Sequence, residues 1–363
     1  MKKQEQNYFI EFLRFIFSIA ILFYHSWMFI GVYGEGLVKR GFLAVDFYFI
    51  VTGYLMLNSL NKEGTKIQSI ISDSINFVLK KFKRLLPSLL VTFGIGLVFV
   101  YGRNIVNIEL LLSNAIIGEL LQLGIFGYPL TVNSSWWYLS AMFIVLLILT
   151  PLAKKYKSTY SKYIAPLILI FTLGLVNTKG IIINDPMLIS FFLRNGFYKG
   201  VIFIILGNFA YEISEYIKNI KITKRCSIIL TIIEIFLYLF LILNLHYAVL
   251  DTLIFAVLLT LNISLTFSNI TYTKNIFKHS IWKKLGTLGF YIYLCQISIR
   301  TYMLRHLTHV YKIDLLKYLV ITLLTSICIY IIIEIIYKKV IKLINKLIFR
   351  FKNNNTCKLT KSN

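Results

Sequence analysis

Three side chains that lipid rejects stand in the first apolar stretch, Glu11-Phe-Leu-Arg14-Phe-Ile-Phe-Ser18-Ile-Ala-Ile-Leu-Phe-Tyr24-His25. An acid, a guanidinium and an imidazole are costly inside a membrane span and by default mark a functional path. Arg14 and His25 are eleven positions apart, a rotation of roughly 1100°, which is only about 20° from three full turns. The two share one face, with Glu11 and Ser18 near the same stripe. At about 1.5 Å per residue, His25 lies roughly 16 Å further along the axis, so the stripe runs from one membrane surface towards the other. Two plainer readings stay open. Glu11 and Arg14, at i and i+3, can lock two helices together, and His25 can be a packing histidine.

The next apolar stretch, Gly41-Phe-Leu-Ala-Val-Asp46-Phe-Tyr-Phe-Ile-Val-Thr52-Gly53-Tyr54, carries an acid, a small hydroxyl and a glycine. The loop from Gly31 to Arg40 has its midpoint between Glu35 and Gly36, and His25 precedes that point by the count by which Asp46 follows it. In an antiparallel hairpin the two sit at similar depth. An imidazole whose tautomer a carboxylate fixes is a general-base arrangement, and it must be neutral to act, so activity is expected to fall on the acid side. Equally, Asp46 can reach outer water or cap a helix, and Thr52 and Gly53 can serve close helix approach. Lys80-Lys81-Phe-Lys83-Arg84-Leu-Leu-Pro87 packs four cations against a third apolar stretch. Such a run can clamp a phosphorylated ligand or stand as a solvated cluster.

Long helices must hold these groups. Of 363 residues, 58% are hydrophobic and 15% charged, and the mean hydropathy is +0.74, too apolar for a soluble fold of this length. The class expected is all-α: a polytopic membrane bundle of about ten helices, each of about 17–24 residues. They run roughly over 8–30, 41–60, 84–101, 136–153, 163–179, 197–214, 226–243, 247–268, 285–304 and 314–337. The segment 108–125, interrupted by Asn114, Gly118 and Glu119, reads as re-entrant or interfacial on the outer side, and Glu119 is the acid to test for acceptor binding. Glu234, near mid-span, can pair with a neighbouring helix. Trp27, Trp136, Trp137 and Trp282 fall near span ends, as an aromatic belt requires.

The net charge of +24 does not point to nucleic acid, because the cations come as short clusters between spans. Most of the 39 Lys and Arg fall after alternate spans, which by the positive-inside rule puts both termini in the cytoplasm. Cys226, Cys295, Cys328 and Cys357 lack C-x-x-C spacing, so neither a disulfide framework nor a metal site is expected. His246, His279, His306 and His309 fall at loops or span ends, where a surface role is expected. The first apolar run lacks a small-residue cleavage site and is read as a retained span. One membrane domain over 1–350 and a short polar cytoplasmic tail over 351–363 complete the organisation.

The Arg14-x10-His25 spacing, the stretch from Gly41 to Tyr54 and Arg84-Leu-Leu-Pro87 resemble the acyltransferase 3 family of bacterial membrane acyltransferases. Trp137-Tyr-Leu, in a span ending at Pro151, and Leu288-Gly-Phe-Tyr-Ile-Tyr-Leu-Cys-Gln296 resemble later family elements. Three positions depart from the pattern: Thr52 stands for the usual Ser, Lys81 for the first Arg of an R-x-x-R pair, and Gln296 for a late His. The resemblance implies O-acylation of surface polysaccharides in the bacterial cell (inner) membrane. It implies an acyl-CoA donor, such as acetyl-CoA, bound from the cytoplasm by Arg14, Lys81 and Arg84, with no bound cofactor. The acceptor is then a glycan hydroxyl, lipid-linked or exported, at the outer side. His25, oriented by Asp46, deprotonates that hydroxyl or carries the acyl group transiently.

A transporter or flippase is the rival from another class, but paired halves with matching broken spans are not visible. A membrane glycosyltransferase is expected to have a long, charged outer loop, and the outer loops here are short.

Overall fold

The computed structural model describes residues 7–26, 41–61, 70–102, 115–243, 249–308 and 310–340. The loop 31–40, Trp27, the first part of the 108–125 segment, His246, His309 and the tail 351–363 lie outside the described residues. Among the described residues, helices overlap the predicted stretches: α1 (Tyr8–His25), α2 (Leu43–Leu60), α3 (Ile70–Tyr101), α4 (Trp137–Thr159), α5 (Ala165–Thr178), α6 (Asn195–Lys218), α7 (Lys224–Leu243), α8 (Val249–Ser268), then, after the single turn α9 (Thr273–Ile276), α10 (Ile281–Leu304) and α11 (Tyr311–Tyr330). Among the described residues, seven segments are long and apolar enough to cross a membrane; one of them, Ser134–Thr178, contains both α4 and α5.

Local sequence explains several boundaries. The Asn7 side chain accepts from Phe9 N at 3.0 Å and caps α1. Lys157 has φ 43°, and a π-helical turn over Tyr160–Ile164 leads into α5. That break separates α4 from α5. The third helix starts well before the predicted residue 84, so the cation run lies on a helix rather than in a loop.

Two parallel helix pairs form the centre. In the first, Glu11 meets Gly286, Arg14 and Ser18 meet Gly289, and His25 meets Arg300, all in ascending order along α1 and α10. A Cβ at Gly289 would stand 3.0 Å from Phe15 Cα and from Ser18 Oγ. In the second, Asp46 meets Lys199, Gly53 meets Gly207, and Tyr54 meets Ser214 along α2 and α6. Gly53 and Gly207 are forced: a Cβ on Gly53 would strike the Ile204 carbonyl oxygen, and one on Gly207 that of Ile50. Close backbone approach through small residues is how helices associate where lipid gives no hydrophobic drive. The pairs join as an antiparallel hairpin, in which the Tyr48 hydroxyl donates to Arg14 O at 2.7 Å and Phe17 stacks on Phe47 at 4.4 Å.

Burial grades outward. In α2, 78% of the span is buried, against 22% in Tyr311–Val340, where Leu316 and Leu324 face outward with Phe171 of α5 and Phe236 of α7. An apolar exterior of this kind is stable only in a lipid solvent.

Candidate active site

A cavity of about 380 Å³ opens at the His25 end of the bundle. His25, Tyr24, Trp137, Lys199, Tyr293 and Arg300 supply its chemistry, and Ser134, Ser135, Asn184 and Asp185 add polar groups to its wall. Each of these side chains is delivered by a separate device. His25 is the last residue of α1. Arg300 and Tyr293 are carried by α10, whose middle is pinned to the segment just before α4: Trp136 Nε1 donates to Leu294 O at 3.2 Å, Ser298 Oγ to Asn133 Oδ1 at 2.5 Å, and the Tyr293 hydroxyl to Ser135 O.

Glu119 holds that segment. Its Oε1 accepts from Val132 N at 2.6 Å and Asn133 N at 3.1 Å, just before Ser134 and Ser135. Burial pushes the Glu119 carboxyl up to about 7 against the opposing pull of these N–H groups. The Glu119 carboxylate, expected to face acceptor, is fully buried, with Oε1 taken up by the backbone and Oε2 buried without a hydrogen-bond partner. Arg194 fastens the rest of this end, donating to the carbonyls of Gly124 at 2.8 Å, Met187 at 2.6 Å, Gly127 at 3.4 Å and Tyr128 at 3.2 Å.

The expected contact of Asp46 with His25 is corrected. Asp46 Oδ1 pairs with Lys199 Nζ at 2.8 Å, both side chains being buried. The cause lies in the glycine contact between α2 and α6, which brings Lys199 over Asp46 and within 5.3 Å of the Phe42 ring. His25 meets Arg300 instead, with Nδ1 3.3 Å from Nη1. Lys199 and Arg300 escaped the sequence reading although both stand inside predicted spans, where the rule that singled out Arg14 and His25 applies equally.

At the opposite end, Arg14 Nη1 bonds Glu11 Oε1 at 2.9 Å and keeps about a third of its side chain exposed. The guanidinium groups of Arg84 and Arg14 both act electrostatically on Lys81, so three cations from two distant stretches gather here. Arg14 also acts on the phenols of Tyr48 and Tyr138. Those two rings form a triangle with Tyr293, with centroids 6.1, 5.9 and 6.2 Å apart. Since Tyr293 lines the cavity, these aromatics stand between the cations and His25.

The remaining expected residues make these contacts. The Thr52 hydroxyl lies 3.8 Å from Met142 Sδ, and Gly53 is consumed by the α2–α6 contact. Trp137 forms the cavity wall beside Phe49, at 6.1 Å. Glu234 pairs with a neighbour as expected, its Oε1 accepting from Thr266 at 2.5 Å on α8.

Three comparisons bear on identity. A segment of 93 residues, 25% of the chain, is 31% identical to the peptidoglycan O-acetyltransferase OatA of Listeria monocytogenes serovar 1/2a and covers only 13% of that protein. No solved structure matches the chain. The sequence pattern of the acyltransferase 3 family, described as an acyltransferase domain, matches residues 7–334, and the protein belongs to that family.

Proposed function

We propose that the protein is an integral membrane O-acetyltransferase that moves an acetyl group from cytoplasmic acetyl-CoA to a hydroxyl of a bacterial cell-surface or lipid-linked polysaccharide. The observation that carries this reading is the arrangement around α1: three gathered cations at one end, an imidazole in a cavity at the other, and aromatics between. Arg14, Lys81 and Arg84 suit the phosphates of coenzyme A. Its pantetheine arm would run past Tyr48 and Tyr138 and deliver the thioester to the cavity.

There His25 acts as general base. The acceptor oxygen attacks the thioester carbon, its proton passes to the imidazole, and the departing thiolate takes that proton to become the thiol. A variant of the same chemistry has His25 carry the acyl group between donor and acceptor. Trp137 offers an apolar wall for a sugar face, and Asn184 and Asp185 offer partners for its hydroxyls. The peptidoglycan O-acetyltransferase relative supports a glycan acceptor, as does the position of the cavity at the end of the bundle that the positive-inside pattern assigns to the outer side.

Protein in nanodiscs with radiolabelled acetyl-CoA tests the proposal. His25→Ala is expected to lose about 10²–10⁴-fold in transfer, and Arg14→Ala to weaken donor binding. Equal CoA release by wild type and His25→Ala would overturn the base. Solute flux without CoA release would favour a transporter.

A further inference from the structure

Among the described residues at the His25 end of the bundle, Arg194 and Arg300 are satisfied in opposite ways. Arg194 donates to four backbone carbonyls. Arg300, which lines the cavity, pairs with no carboxylate among the described residues. Its Nη1 meets His25 Nδ1 at 3.3 Å, and its Nε is buried without a partner. One helical turn earlier on the same face, Gln296 is buried with both amide atoms unpartnered. Buried donors left unmet beside a reactive group point to a ligand that meets them.

A guanidinium donates only and does not lose its proton. For the contact with Arg300 to be a hydrogen bond, His25 Nδ1 must be the acceptor. The resting imidazole is then neutral and carries its hydrogen on Nε2.

We propose that Arg300 is the oxyanion donor of the acyl transfer and that His25 Nδ1 is the basic nitrogen, their mutual hydrogen bond being the resting form of the pair. This rests on the reading of His25 as base. The acceptor oxygen attacks the thioester carbon, and the carbonyl π pair moves onto its oxygen. The Arg300 N–H then leaves Nδ1 for that oxyanion, and Nδ1, now uncovered, takes the hydroxyl proton. Collapse restores the carbonyl and expels the coenzyme A thiolate, which takes the proton from Nδ1. Two nitrogens 3.3 Å apart suit this exchange, because the nucleophilic oxygen and the oxyanion sit on one carbon. Until an acceptor arrives, Arg300 keeps the base occupied, and the thioester is protected from water.

Full-length protein in nanodiscs is assayed for coenzyme A thiol release, with acetyl-CoA as donor and a soluble oligosaccharide of N-acetylglucosamine and N-acetylmuramic acid as acceptor. Loss of one oxyanion donor lowers kcat by about 10²–10³-fold, so Arg300→Met should fall by that factor with donor KM unchanged. Arg300→Lys, which keeps the charge, should recover part of it. Independently of turnover, ¹⁵N NMR of histidine-labelled protein, assigned with His25→Gln, should show the Nε2–H tautomer in wild type and a mixture in Arg300→Met. An Nδ1–H tautomer in wild type would overturn the proposal, as would Arg300→Met retaining kcat within threefold or losing only acceptor affinity. Full turnover by His25→Ala would instead remove the reading beneath it.

Discussion

The two parallel helix pairs at the centre of the bundle are built alike and finished differently. Each brings backbones together through glycine, and each carries a basic residue from the later helix onto a titratable residue of the earlier one. Between α2 and α6 the result is a closed ion pair, Asp46 with Lys199, at 2.8 Å in a buried setting. Between α1 and α10 it is an open contact, cation on imidazole, with donors left unmet. In the first the buried charge has its counter-charge in place, and in the second it does not. The α2–α6 pair thus fixes the wall of the cavity, and the α1–α10 pair holds its reactive edge.

The largest effect should come from opening the closed pair. Asp46→Asn leaves Lys199 uncompensated and is expected to cost about 3–5 kcal/mol of stability, read by thermal unfolding in nanodiscs. Replacing both partners, Asp46→Leu with Lys199→Met, should regain most of it. An unfolding temperature unchanged in Asp46→Asn would erase the distinction between the pairs.

Next come the glycine contacts. Gly53→Ala drives a methyl into the Ile204 carbonyl and should cost at least about 1–3 kcal/mol. Gly289→Ala meets its neighbours at 3.0 Å and should cost less. It should nevertheless lower kcat more than Gly53→Ala does at matched stability, because it displaces Arg300 from His25.

A smaller effect concerns Glu119. Its folded-state pKa of about 7 exceeds the ordinary value of 4.5, so the native protein binds more protons than the unfolded one between those limits. The stability this supplies is full below about pH 4.5 and is lost as pH rises through 7. Wild type should therefore gain on the order of 1–3 kcal/mol between pH 8 and 5, and Glu119→Gln should be flat over that range. A wild-type profile that falls towards acid would refute the buried acid.

Smallest is the far end. Lys81→Ala removes one of three gathered cations and should raise the acetyl-CoA KM about fivefold, ~1 kcal/mol, with kcat unchanged.

The stripe geometry of Arg14 and His25 and the positions of the long helices were legible in the sequence, because both follow from helical periodicity and from the intolerance of lipid for charge. The joining of Arg14 with Lys81 and Arg84 was reachable only through a family pattern, since nothing local links α1 to α3. Partners were the blind spot. The symmetric loop count set Asp46 and His25 at similar depth but said nothing about azimuth, and azimuth is decided by which helix packs where. Lys199 and Arg300 come from α6 and α10, far along the chain, and only tertiary packing assigns them. The backbone partners of Glu119 were out of reach for a related reason: an acid in a segment rich in turns is as useful to backbone N–H groups as to a ligand.

That α1 and α10 point the same way has a further consequence, for biosynthesis. Two neighbours aligned in one direction cannot be consecutive crossings, and the contact between His25 and Arg300 spans 275 positions. At about 5–20 residues per second, roughly 15–55 s of translation separate them. Throughout that interval the opening helix sits in the bilayer with its imidazole lacking the guanidinium that completes it. The edge of the cavity where these two side chains meet is therefore assembled only after most of the chain has entered the membrane, and the order of synthesis sets the order in which the site is completed.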